Sequence, residues 1–228
     1  MSYDSRLTTQ EIVSVLSEEI VARSGRMLDV FDDGCRLFAR SVLPGVEEVR
    51  RGDKLQGGVA LRGSQSQVWV HPYVFRQVCR NGAIMAQALE TKHVSEIDQL
   101  PCDEAAERVR EAVEACCADE AFMAAVEQTR SATEIEADTA LTLLPFLSRM
   151  PVRQQQELMS MILGRFTAEG DTSRFGLMNA VTSVARDTHD PELRWSLEEL
   201  GGGIPAAILP VGDDSGSRAV RPLDVLMG

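Results

Sequence analysis

The chain has 228 residues, 44% hydrophobic and 25% charged, with a formal net charge of −12, an ordinary globular composition with length for one sizeable core or two small ones. No run of about 18 apolar residues occurs, which excludes a membrane-spanning helix. The opening MSYDSRLTTQ is polar and lacks an apolar signal region, and the five cysteines, Cys35, Cys79, Cys102, Cys116 and Cys117, are odd in number with two adjacent. Both features lead us to expect a reducing, cytoplasmic protein without a disulfide framework.

A first helix is expected over 9–24. Thr8 and Glu11 form a capping box, Ile12, Val13, Leu16 and Ile20 supply an apolar face, and Gly25 closes it. The pattern then changes. MLDVF (27–31), the turn Asp32-Asp33-Gly34 and CRLFARSVL (35–43) read as a hairpin. Cys35, Leu37, Ala39 and Leu43 share one face, and Arg36, Phe38, Arg40 and Val42 the other. Pro44-Gly45 breaks that strand. LQGGVALR (55–62) and QVWVH (67–71) are two further strands around a Gly63-Ser64 turn.

From Pro72 a short helix is expected over 72–80. Val74, Phe75, Val78 and Cys79 form an apolar stripe, Tyr73, Arg76, Gln77 and Arg80 fall on the opposite side, and Asn81-Gly82 supplies a left-handed stop. A helix over 83–93 follows, then helices over 103–118, 119–130 and 134–148. Pro151 opens VRQQQELMSMILGRF, Asp171 starts the helix through SRFGLMNAVTSVARD, and Asp190-Pro191-Glu192 starts ELRWSLEEL, ended by Gly201-Gly202-Gly203. VGDDSGSRA (211–219) reads as a linker before a short tail. The expected fold is therefore α+β: an N-terminal curved antiparallel sheet of about four strands packed by helices, then a mostly helical C-terminal half. The expected division is 1–94 for the sheet region, 95–205 for the helical region and 206–228 for linker and tail.

Three constellations bear on chemistry. Metal binding has little to stand on, because His71, His93 and His189 are dispersed and no CxxC or HxxxH spacing occurs. No GxxxxGK[ST] or GxGxxG loop is present, so no metal and no cofactor are expected. The charge is uneven: residues 36–93 carry nine Lys/Arg against four Asp/Glu, whereas 94–228 carry eleven against twenty-four. Arg50, Arg51, Lys54, Arg62, Arg76 and Arg80, with the flat rings of Trp69 and Tyr73, have the ingredients of a single-stranded nucleic-acid surface. The competing reading is that Trp69 is core and the arginines pair with Asp53, Glu47 and Glu48. Asn179, Thr182, Ser183 and Arg186 recur at helical spacing as either a recognition face or a polar seam against a neighbouring helix.

The stretch from Cys35 to Ile84, with Gly52-Asp53 and an R-x-x-C-x-N-G signature at Arg76, Cys79, Asn81 and Gly82, resembles the phage/plasmid-like family called domain of unknown function 932. The late helix with Asn179, Ala180, Val181 and Thr182 is similar to that family's N-A-V-T helix. The chain departs from the pattern at Gly63, where the family has asparagine, and in ELRWSLEELGGGI. The resemblance implies a mobile-element, replication or recombination setting and carries over no catalytic residue. The leading expectation is a non-enzymatic nucleic-acid-associated protein. An assembly subunit that uses the acidic helices, self-association and a tail that binds a protein partner comes second. A hydrolase whose site goes unrecognised is third.

Overall fold

In a computed structural model, residues 6–85 and 91–206 are described. The elements in order are α1 (Thr9–Ala22), β1 (Arg26–Asp32), β2 (Leu37–Val42), β3 (Val46–Arg50), β4 (Asp53–Gly63), β5 (Gln67–Arg76), β6 (Asn81–Ile84), β7 (Lys92–Ser95), a 3-10 turn at Ile97–Gln99, α2 (Cys102–Cys116), α3 (Asp119–Ser131), α4 (Thr139–Leu147), α5 (Val152–Glu169), α6 (Arg174–Arg186) and α7 (Pro191–Gly203). The α+β class with a curled antiparallel sheet and a helical second half is what the patterning implied.

The sheet is built on one long hairpin, β4–β5. Each of its edges carries two short strands end to end: β2 and β3 on β4, β6 and β7 on β5, with β1 outside β2. Leu43-Pro44-Gly45 separates β2 from β3, as Pro and Gly in that position require. One face buries Leu37, Ala39, Val59, Leu61, Val68 and Val70 against Ile12, Leu16 and Ile20 of α1 and Val109 and Val113 of α2. The other face sets Phe38, Ala60, Tyr73 and Ile84 against Trp195 of α7. At the β6 end, Leu55, Val74, Ala83 and Met85 join Leu143, Leu158, Ile162, Phe175 and Val181 from α4, α5 and α6. The strand alternation expected for 37–42 therefore holds, except that Cys35 is exposed in the turn. The capping box at Thr8 and the N-cap at Asp190 are both formed.

Four expectations are corrected. Residues 72–76 are not helical; they continue β5, and β6 follows after a turn at 77–80. Pro72 is tolerated mid-strand because its carbonyl accepts from Met85 N–H at 3.0 Å. In a strand the amide and carbonyl of one residue point to the same side, so the missing N–H falls on the edge where β7 gives way to β6 rather than inside the β4 ladder. The helix expected over 83–93 is replaced by β6 and β7 at its two ends, while 86–90 lie outside the described residues.

The left-handed residue of the 77–80 turn is Arg80, with φ 55°, not Asn81 or Gly82. Gly82 is small for another reason: a Cβ there would overlap the Tyr73 hydroxyl. Finally, Gly201–Gly203 do not stop α7. They are its last turn: a Cβ on Gly202 would collide with the Ile84 carbonyl of β6, and one on Gly201 with the Thr182 side chain, so these two glycines let the helix lie close on β6 and on the helix that carries Thr182. Val46–Arg50, which carries no expected strand from periodicity, pairs with β4 as β3. The expected linker and tail at 211–228 lie outside the described residues.

Candidate functional site

The two motifs that stand out in the sequence meet in space. The β3–β4 hairpin turn at Arg51-Gly52 and the β5–β6 hairpin turn at 77–80 lie side by side at one end of the sheet, the hairpin end, remote from the turn at 64–66 that joins β4 to β5, because Leu55 pairs with Arg76 and Gln77 N–H donates to the Lys54 carbonyl at 3.0 Å. Helix α6 runs across both.

Arg76 is buried and forks onto Asp53, donating from Nε at 2.6 Å and from Nη2 at 2.7 Å. Its third nitrogen, Nη1, donates to the Cys79 sulfur at 3.3 Å and lies 3.9 Å from Glu169. Arg50 completes the cluster, 3.3 Å from Asp53 and 2.5 Å from Asp171. Both guanidinium carbons lie over the Phe175 ring of α6, 4.8 and 5.3 Å from its centroid, a packing that suits a planar, weakly hydrated cation. Burial alone would raise the Asp171 carboxyl, but hydrogen bonds from Ser173 and Arg50 outweigh it and hold the carboxyl below its usual range.

The signature asparagine binds the other motif. Asn81 Nδ2 donates to Thr182 Oγ1 and to the Asn179 carbonyl, while Arg186 donates to the Cys79 carbonyl. Asn179, Thr182 and Ser183 are buried, so this stripe is a polar seam rather than a recognition face. Within it, Asn81 Oδ1 and both amide atoms of Asn179 find no partner among the described residues.

The eight residues expected to face nucleic acid separate into three groups. Arg76 and Tyr73 are buried, and Arg50, 41% exposed, is tied into the ion cluster. Tyr73 is enclosed on the α7 side, where burial lifts its hydroxyl far above the usual phenol range. Arg62 and Trp69 are direct cross-strand partners, but at the opposite end of β4–β5. There Arg62 pairs with Glu192 at 3.2 Å, and Trp69 stacks on His93 with centroids 4.7 Å apart. Only Arg51, Lys54 and Arg80 are exposed together at the hairpin end with no ion-pair partner among the described residues. Val78, 60% exposed, stands beside Cys79 in the same turn.

A second ionic network was not legible in the sequence. Arg40 and Glu198, each 2% exposed, pair at 2.6 Å beneath α7. Asp29 lies 2.9 Å from Arg40, and Arg194 bridges Asp29 and Glu198 at 2.8 and 3.1 Å. Arg40 also lies 5.6 Å from the Trp195 ring, and one of its terminal nitrogens, Nη2, is buried without a hydrogen bond among the described residues. The one available signal was an arginine on the same strand face as Phe38. His71 is buried beside it, edge-on to Trp195 at 5.4 Å and 3.0 Å from the Thr91 hydroxyl. Burial, helped by Arg62, pushes its imidazole down to about 4.

Among the described residues no group of three His, Cys, Asp or Glu side chains is placed to hold a metal ion, and no helix is long and apolar enough to cross a membrane. No family model, curated protein or solved structure matches the chain.

Proposed function

We propose that this chain is a nucleic-acid-associated protein that contacts the phosphate backbone with the hairpin end of its sheet. The observation that carries the reading is the convergence of Arg51, Lys54 and Arg80 on two adjacent turns, exposed and without ion partners among the described residues, where the neighbouring Arg50 and Arg76 are both ion-paired. Beneath them, Asp53, Arg76, Arg50 and Phe175 lock the two turns together. That fixes the spacing of the three cations and lowers the entropic cost of engaging a polyanion. Arg80 holds φ 55°, a conformation that costs an L-residue about 1–2 kcal/mol. Strain of this kind is characteristic of positions kept for function.

Tyr73 is buried and Trp69 lies at the far end. The hairpin end therefore offers charge without stacking rings, which suits the backbone of a single strand or a duplex alike. The phage or plasmid setting belongs to the same proposal.

Mobility-shift titrations with single-stranded and duplex oligonucleotides at two salt concentrations test it. Binding should be measurable at about 50 mM salt and weaken steeply at higher salt. An absence of binding at the lower concentration overturns the proposal.

A further inference from the structure

Helix α4 has an unusual exterior. Leu141 and Leu144 are 61% and 55% exposed, with Pro145 beside them. At the corner into α5, Val152 is 67% exposed. Elsewhere the exposed large apolar residues are scattered, which is normal for a protein surface; here two leucines one turn apart make a stripe. The ends of the stripe carry opposite charge. Glu134, Glu136 and Asp138 precede the helix, and Arg149 follows it. All four are exposed, and none has an ion-pair partner among the described residues.

From this arrangement we infer that the α4 stripe is a self-association surface, and that its occupant is α4 of a second copy of this chain, antiparallel across a two-fold axis. A two-fold contact is reciprocal: where one residue faces a second on the partner, the second faces the partner's copy of the first. Antiparallel apposition would lay Leu141 and Leu144 on Leu144 and Leu141 of the partner. It would also bring the carboxylates at the start of one helix against Arg149 at the end of the other. The helix dipoles would oppose favourably in the same arrangement. A parallel pairing would set like charges together. Nine residues of helix span only about 13 Å, so the dimer belongs to the small, concentration-dependent class rather than the obligate one.

Sedimentation equilibrium of the full chain, from low to high micromolar, tests the inference. The weight-average mass should rise with concentration from 25.0 kDa towards twice that value. Leu144→Glu, at an exposed site, should hold the chain at monomer mass with an unchanged thermal midpoint. Arg149→Glu should weaken association about tenfold through charge at the rim, and adding Glu134→Arg with Glu136→Arg should restore it. A mass independent of concentration overturns the inference. So does association that Leu144→Glu leaves intact, or that the compensating reversal fails to rescue.

Discussion

The Arg40 network beneath α7 and the Arg76 network at the hairpin end are built from the same parts: two arginines, two or three carboxylates and an aromatic ring. Under α7 the centre of the group is enclosed, with Asp29 and Arg194 at its rim. Arg40 and Glu198 see almost no solvent, and every charge in the network faces another. At the hairpin end the equivalent pairs close on themselves, yet the turns that carry them present three further cations outward. The difference separates two uses of arginine. A guanidinium buried against a carboxylate fixes how elements sit together and is unavailable to a ligand. One held on a rigid turn without a partner is free to meet an anion.

Breaking the enclosed network should have the largest effect. Glu198→Leu leaves Arg40 buried with only Asp29, and should cost about 3–5 kcal/mol in urea denaturation, the range for removing one member of a buried pair. Arg40→Met combined with Glu198→Leu should recover much of that loss, because no uncompensated charge remains at the centre.

His71 sharpens the same side of the comparison through pH. Its folded pKa of about 4 lies below the ordinary 6.5. The unfolded chain therefore takes up this proton first as pH falls, and the stability held above the unfolded value is lost progressively between the two. The loss should approach about 3 kcal/mol by pH 4. His71→Gln should flatten the part of the stability profile between pH 6.5 and 4.5, a window above most carboxylate titrations. An unchanged profile would show that His71 is not buried as a neutral ring.

At the hairpin end the penalty should be smaller. Arg76→Gln leaves Asp53 with Arg50 still 3.3 Å away. The cost should be about 2 kcal/mol, that of losing charge-assisted hydrogen bonds, read from the denaturation midpoint.

What could be read in advance follows from the range of each interaction. Local signals worked at helix starts and at the first turn, but not where glycines read as helix stops at Gly82 and Gly201–Gly203. The Thr8 capping box, the Asp33-Gly34 turn and the Asp190-Pro191 helix start depend on neighbours within a few residues, and all are present. The 72–80 segment misled because helical spacing and strand pairing compete for the same residues. Val74 and Phe75 make a stripe on a helix, but in β5 they point to opposite faces and find partners on β4 and β6. The union of Asn81 with Thr182 was half legible, since both residues stood out in the sequence although neither named the other. The Arg40–Glu198 pair, 158 residues apart, had no such mark, and the tertiary fold alone supplies it. For the same reason Tyr73 and Arg76 read as surface residues: a strand buried on both faces hides side chains that a short helix would expose.

The central claim is that Arg51, Lys54 and Arg80 meet the phosphate backbone while Arg76 serves the fold. The most direct test is the salt dependence of oligonucleotide binding for three proteins: the wild type, a variant carrying Arg51→Gln, Lys54→Gln and Arg80→Gln, and Arg76→Gln under conditions where it stays folded. The account predicts that the triple variant keeps the wild-type thermal midpoint, binds more weakly, and loses up to about 3 from the slope of log K against log salt, about one for each phosphate contact removed. It predicts that Arg76→Gln lowers the midpoint and leaves the slope as in the wild type. An unchanged slope in the triple variant, or a slope that falls with Arg76→Gln alone, would contradict it.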